Sequence, residues 1–194
     1  MPKLTIAKLT STIALAICSF SSFAALTLDK SQSTLSFIST KNVNVSEQHT
    51  FEHFSGQIDD QGKLIITINI ASLNTLIPIR NERMQSMLFN MNSYSTASFT
   101  AQIDPSLRTL KSGEMSLTTV EGDMLIAGNS APISFDVVIT GLQDGSISAT
   151  TVKPTIINAT DFGLDEGIEA LKEVAKLKSI STSVPLSFSV TFKP

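Results

Sequence analysis

The sequence predicts an all-β protein whose antiparallel strands close into a barrel or stack as two sheets. Apolar and polar residues alternate with period two in segment after segment, as strands with one buried face do. Turn-forming residues interrupt these segments at short intervals, which favours hairpins. Helical periodicity is confined to two stretches, and many amphipathic strands must cover one another's apolar faces.

The elements follow in chain order. Leu35 and Phe37 alternate with Thr34, Ser36 and Ile38. Leu64, Ile66, Ile68 and Ile70 alternate with Ile65, Thr67, Asn69 and Ala71, a strand with one strongly apolar face. After Pro78 the period changes: Met84, Met87, Leu88 and Met91 fall at i, i+3, i+4 and i+7, one face of an amphipathic helix. Phe99, Ala101 and Ile103 then return to alternation. A helix set between two strands and facing them with methionines suggests a lid over an apolar cavity, because methionine adapts to irregular partners. The same face is a candidate mobile gate.

Met124 and Ile126 form a weaker strand before Gly128, and Ile133, Phe135, Val137 and Ile139 a stronger one. Residues 147–157 read as one long strand rich in Thr, Val and Ile. A second helix is expected over residues 165–178, with Ile168, Leu171, Val174 and Ala175 on one face, a surface helix covering one end of a barrel. Its acids lie at the start and its lysines at the end, which suits the helix dipole. Val184, Leu186, Phe188, Val190 and Phe192 make the cleanest strand. Turns are expected at Asp59-Asp60-Gln61-Gly62, Asp104-Pro105, Glu121-Gly122-Asp123, Gly128-Asn129 and Asp144-Gly145.

Residues 1–24 have the make-up of a secretory signal: Lys3 and Lys8, a short apolar run, then Ser22-Phe23-Ala24. Cleavage is expected after Ala24, leaving one domain over residues 25–194, periplasmic if the source is a Gram-negative bacterium. The single cysteine, Cys18, falls in the removed segment, so the mature chain has no disulfide and no thiol chemistry. Without Lys3 and Lys8, twelve cations face seventeen acids, a net charge of −5. That balance argues against non-specific nucleic-acid binding and against attraction to anionic lipid headgroups.

Several blocks, in this order, resemble the YceI-like family of secreted bacterial proteins over nearly the whole mature chain. They are Leu26-Thr27-Leu28-Asp29 with Ser33-Thr34-Leu35-Ser36-Phe37, then Phe54-Ser55-Gly56 as an F-x-G turn, then Ile70-Ala71-Ser72-Leu73-Asn74-Thr75 with Arg80-Asn81-Glu82-Arg83. Tyr94-Ser95-Thr96-Ala97-Ser98-Phe99 and Asp161-Phe162-Gly163-Leu164 complete the set. The chain departs from the family where Ala127-Gly128-Asn129-Ser130-Ala131 replaces a frequent His-Gly-x-Thr-Lys, at Ser95 in place of proline, and in its longer second helix.

The resemblance implies a lipocalin-like antiparallel β-barrel of about eight strands with one or two short helices. It also implies a binder of long amphiphilic lipids, such as polyprenyl chains, isoprenoid quinones or fatty-acid derivatives, held in an interior tunnel. Leu35, Phe37, Ile66, Ile68, Phe99, Phe135 and Phe188, with Met84, Met87, Leu88 and Met91, are the candidate tunnel and lid residues. Periodicity alone does not separate a tunnel from a filled core, since both alternate in the same way.

Arg80 and Arg83, one turn apart, suit contact with a polar or anionic lipid headgroup, or ion pairing with carboxylates such as Glu82 or Asp104 that fixes the helix on the wall. His49 and His53 have an H-x-x-x-H spacing, but in extended chain their rings lie about 13 Å apart, so a metal site is not expected. They read as two polar side chains near the first hairpin. Tyr94, the only tyrosine, reads as a ring packed at the rim. The sequence carries no G-x-S-x-G elbow, P-loop or Rossmann glycines, and no cofactor or catalytic residue is expected. Three classes remain: a lipid carrier, an envelope interaction module with a filled barrel, and a lipid isomerase or cyclase; a homodimer is compatible with each.

Overall fold

The computed structural model describes residues 25–194; the expected signal segment lies outside the described residues. The strands are β1 (Leu26–Leu28), β2 (Thr34–Lys41), β3 (Val45–Phe51), β4 (Phe54–Ile58), β5 (Lys63–Asn69), β6 (Leu73–Asn74), β7 (Thr96–Gln102), β8 (Met115–Ile126), β9 (Asn129–Gly141), β10 (Ile147–Thr151), β11 (Thr155–Asn158) and β12 (Ser183–Lys193). Taken as staves, with β1/β2, β3/β4, β5/β6 and β10/β11 each counted once, every stave pairs antiparallel with the next along the chain, and β12 pairs with both β1 and β2, closing the sheet. The result is an up-and-down barrel of eight staves. Four staves are broken in two: β1/β2, β3/β4, β5/β6 and β10/β11.

Three of the breaks have a local cause. Asp29 accepts from the Ser31 amide at 2.9 Å and caps a single 3₁₀ turn between β1 and β2; Asn69 does the same for the Ala71 amide between β5 and β6. Pro154, which has no N–H to donate, falls between β10 and β11, so the single strand expected over residues 147–157 is two. The expected turn at Glu121-Gly122-Asp123 is not one: Gly122 pairs with Ala101 and Ile133 inside the twelve-residue β8. There the absent side chain lets the Thr100 carbonyl of β7 come close. Phe54-Ser55-Gly56 is likewise β4 rather than a turn, with Phe54 opposite Ile68. The turn expected at Gly128-Asn129 falls one residue earlier: Ala127 and Gly128 have φ of 48° and 83°, the two-residue turn that matches strand twist, and Asn129 already pairs with Ile126.

The breaks shape the barrel. At its upper end β6 pairs with β3 and not with β7, and β11 pairs with β12 while β9 continues with β10. The staves separate at these two places and helices fill them. One is α1 (Pro78–Arg83), which runs on into a π-helical turn at Met84–Leu88; the other is α2 (Asp165–Val174). Helix α2 is shorter than the expected 165–178, because Lys176 turns into the left-handed region (φ 54°) and the chain then runs back along β2, the Ile180–Lys41 bridge marking its path. The helices touch through Gly167, where a side chain would stand 2.6 Å from the Met87 carbonyl and 2.8 Å from the Leu88 Cα. One apolar core runs the length of the barrel.

Candidate functional site

Beneath the two helices lies a cavity of about 400 Å³. Its wall comes from Leu35 and Phe37 of β2, Phe51 of β3, Ile68 of β5 and Met124 and Ile126 of β8, and its roof from Met84, Leu88 and Phe89 on one side and Ile168, Leu171 and Val174 on the other. A second, smaller space of about 90 Å³ lies deeper, lined by Ile66, Phe99, Phe135 and Phe188 among others, with no polar lining residue. Leu35, Ile68, Met124 and Leu186 border both, forming a waist between them.

Polar groups on the large cavity are confined to its rim: Ser39, Lys41, Glu47, Arg80, Arg83 and Ser181. Glu47 Oε2 accepts from Lys41 Nζ at 2.6 Å and from Arg80 Nη1 at 2.8 Å. The Lys41 ammonium, then the Arg80 guanidinium, hold its carboxyl below the usual range, so it is ionised at neutral pH. Arg80 also donates through Nη2 to the Thr75 carbonyl at 2.5 Å, and Asn81 Oδ1 accepts from the buried Thr75 amide and hydroxyl at 2.9 and 2.5 Å. The Thr75, Arg80 and Asn81 positions of the motif are therefore a knot that fastens α1 to the wall. The expected partners of Arg80 are corrected: Glu47, thirty-three residues away, takes that place, and Asp104 instead caps the turn after β7 by accepting from the Ser106 amide. Arg83 also borders the cavity, and among the described residues no carboxylate pairs with it.

The methionine face divides. Met84 and Leu88 line the cavity; Met87 is 37% exposed, and Met91 packs half-buried against the core outside the cavity lining. The π-helical turn is the reason: its wider repeat keeps i and i+4 together and swings i+3 away, and the helix ends before Met91, at Phe89. Phe89, Phe51 and Met124 were missed by the sequence reading. Phe89 falls off the 3.6-residue pattern, and no strand was assigned over Phe51. The apolar face of α2, by contrast, was read correctly, and its Ile168, Leu171 and Val174 roof the cavity.

His49 lies in the first hairpin, on β3, but is 1% exposed, its Nε2 2.8 Å from Ser39 Oγ and its ring edge-on to Phe37 at 5.2 Å. Burial, and then the charge of Arg80, push its pKa down to about 4, so the ring is neutral. His53 is exposed in the β3/β4 break, and among the described residues no group of three metal-ligating side chains gathers. Tyr94 lies over Gly128, whose missing side chain would stand 2.7 Å from the ring; it is not part of the cavity wall. Asn129 Nδ2 donates to the Phe162 carbonyl at 2.9 Å, so the Asp161-Phe162-Gly163-Leu164 block ties the start of α2 to the β8–β9 hairpin.

A closed eight-stranded antiparallel barrel, hollow at one end and roofed by two short helices, defines a lipocalin-like barrel protein. Residues 26–192 match the model of the YceI-like domain, and the chain belongs to that family. Among solved structures it is similar to a polyisoprenoid binding domain from Saccharophagus degradans implicated in plant cell wall breakdown, at 33% identity over 88% of this chain and 98% of that one, with a TM-score of 0.83. It shares the fold of Burkholderia cenocepacia BcnA, at 22% identity over 84% of this chain and 98% of that one and a TM-score of 0.63. It shares it also with the Campylobacter jejuni YCEI protein, at 24% identity over 74% and 82% and a TM-score of 0.54. No curated protein sequence matches the chain.

Proposed function

We propose that the protein is a periplasmic carrier, exported by a signal segment over residues 1–24, for a long-chain amphiphilic lipid of the polyisoprenoid, isoprenoid quinone or fatty-acid type. The observation that carries this reading is the cavity of about 400 Å³, apolar within and polar only at its rim. That volume falls within the range of small-molecule sites. An apolar tail in the chamber, its tip reaching past the waist at Leu35, Ile68, Met124 and Leu186, leaves a polar headgroup beside Arg83 and the Lys41–Glu47–Arg80 cluster. Binding needs no chemistry: each buried methylene contributes about 0.8 kcal/mol, and a dozen offset the cost of association. The identity of the Saccharophagus degradans domain as a polyisoprenoid binder supports the lipid class. Proton-transfer chemistry would have only the rim to work from, which favours a carrier over a lipid isomerase or cyclase.

The test is native mass spectrometry of protein purified without detergent, followed by organic extraction. A bound mass that leaves on activation and extracts as a lipid is the expected result. A clean apo mass, unshifted after incubation with quinones, polyprenols and fatty acids, overturns it in favour of an interaction module.

A further inference from the structure

Three segments surround the cavity mouth: the tip of the β2–β3 hairpin, residues 76–79 ahead of the lid helix, and the end of α2. The hairpin tip is joined to the segment after α2, since the Asn42 amide donates to the Ser179 carbonyl at 2.9 Å and Asn42 Oδ1 accepts from the Lys178 amide at 2.9 Å, and β3 is joined to α1 by the Glu47–Arg80 ion pair. Each segment holds apolar side chains out to solvent: Val43 is 86% exposed, Leu76 84%, Ile79 51% and Val174 42%. Val43 and Leu76 do so from left-handed backbone, at φ of 75° and 63°, a conformation costly for a β-branched or bulky residue. Neither buries its side chain against this chain, so the fold gains nothing from valine or leucine there. Ile79 and Val174 also line the cavity, which makes the exposed rim continuous with its interior.

The charge around this rim is the reverse of the whole chain's. Lys41, Arg80, Arg83, Lys172, Lys176 and Lys178 lie in or beside these segments against Glu47, Glu82, Glu169 and Glu173, Glu169 being paired to Lys172, in a chain of net charge −3. The turns at the other end carry Asp59, Asp60, Asp104, Glu114 and Asp144 against Arg108 and Lys111. The whole-chain balance that argued against anionic headgroups averages over two unlike ends.

We propose that the mouth of the barrel docks on a lipid bilayer bearing anionic headgroups, with Val43, Leu76 and Ile79 entering the boundary between headgroups and acyl chains. An apolar rim set in a basic collar is the pattern of peripheral interfacial binding. Docked this way, the cavity opens onto hydrocarbon, and a lipid passes from bilayer to barrel without crossing water. The purpose of the docking rests on the carrier reading; the docking itself does not.

The experiment is sedimentation of the purified protein with vesicles of equal parts phosphatidylcholine and phosphatidylglycerol, at low and high salt, beside the double variant Val43→Asn, Leu76→Asn. Asparagine tolerates the left-handed backbone, so the variant should melt no lower than the wild type. Its vesicle affinity is expected to fall at least about tenfold, while wild-type binding weakens with salt. Wild-type protein that stays in the supernatant at low salt overturns the proposal, as does a double variant that sediments equally well. A wild-type dimer that the variant disperses in analytical ultracentrifugation also overturns it, since a second copy then covers the rim. Loading from detergent-solubilised polyprenol bypasses the bilayer and is expected to be equal in both proteins. If neither protein loads while the wild type still sediments, the carrier reading fails and the docking stands.

Discussion

At the lower end of the barrel Phe135 meets Phe99 and Phe188 edge-on, with ring centres 5.3 and 5.2 Å apart, and the space left beside them is about 90 Å³. At the upper end Phe37, Phe51 and Phe89 also stack in sequence, at 5.6 and 6.1 Å, yet a cavity of about 400 Å³ remains. Aromatic content does not distinguish the two ends; the wall does. Below, the sheet closes strand to strand and three rings reach the axis. Above, the staves part at β6 and β11, and the cavity is roofed there by α1, the π-helical turn and α2. The hollow lies where two of the four broken staves, β5/β6 and β10/β11, part from their neighbours.

If that is right, the two ends respond unequally to the same truncation. Phe135→Ala removes a ring that is 3% exposed and packed between two others, and is expected to cost about 3–5 kcal/mol in urea unfolding. Phe89→Ala removes a ring that already faces open space, and its loss should be clearly smaller. Equal losses would mean that the upper chamber is packed in solution as tightly as the lower one, and the contrast would collapse.

Acid should act on the upper end first. His49 titrates near 4 in the folded protein against 6.5 unfolded, so between those values the unfolded chain binds more protons. Its contribution is full above 6.5 and is lost as pH falls toward 4, up to about 3 kcal/mol in all. Glu47, its pKa lowered by Lys41 and Arg80, adds a loss that begins near its ordinary value of 4.5 and continues below it. The urea midpoint should therefore fall between 6.5 and 4.5, and His49→Gln should flatten that fall. A wild-type midpoint constant over the window would show that the ring is not held neutral by burial.

How far the sequence exposes this contrast follows from the range of each signal. Alternation is local, so the strands holding Phe37, Ile66, Phe135 and Phe188 were legible, as was the apolar face of α2. The order of motif blocks identified the family and with it the barrel. The first half of β8 was not legible, because Met115 and Leu117 face solvent and Gly122 mimics a turn. The π-helical turn was not legible either, since Met84, Met87, Leu88 and Met91 fit an ordinary helix equally well. The partner of Arg80 lies thirty-three residues away, beyond any local pattern. The cavity itself could not be read, because inward residues alternate identically around a void and around a packed core.

One pair of substitutions on a single strand isolates that last point. Ala97 and Ala101 both point inward from β7, and both are 6% exposed. Ala97 borders the large cavity, opposite Ile68, while Ala101 lies among Leu64, Gly122 and Phe99, where the missing side chain of Gly122 would stand 2.8 Å from its Cβ. Ala101→Leu must therefore push backbone or ring atoms aside and is expected to cost about 1–3 kcal/mol. Ala97→Leu adds the same three carbons into open volume and should change stability by less than about 0.5 kcal/mol, while lowering the amount of lipid retained in native mass spectrometry. The two alanines share chemistry, strand, orientation and exposure, so a difference between them reports the void alone. Equal costs at the two positions would place the wall around Ala97 as tightly packed as that around Ala101, and the chamber would be a gap that the chain closes in solution.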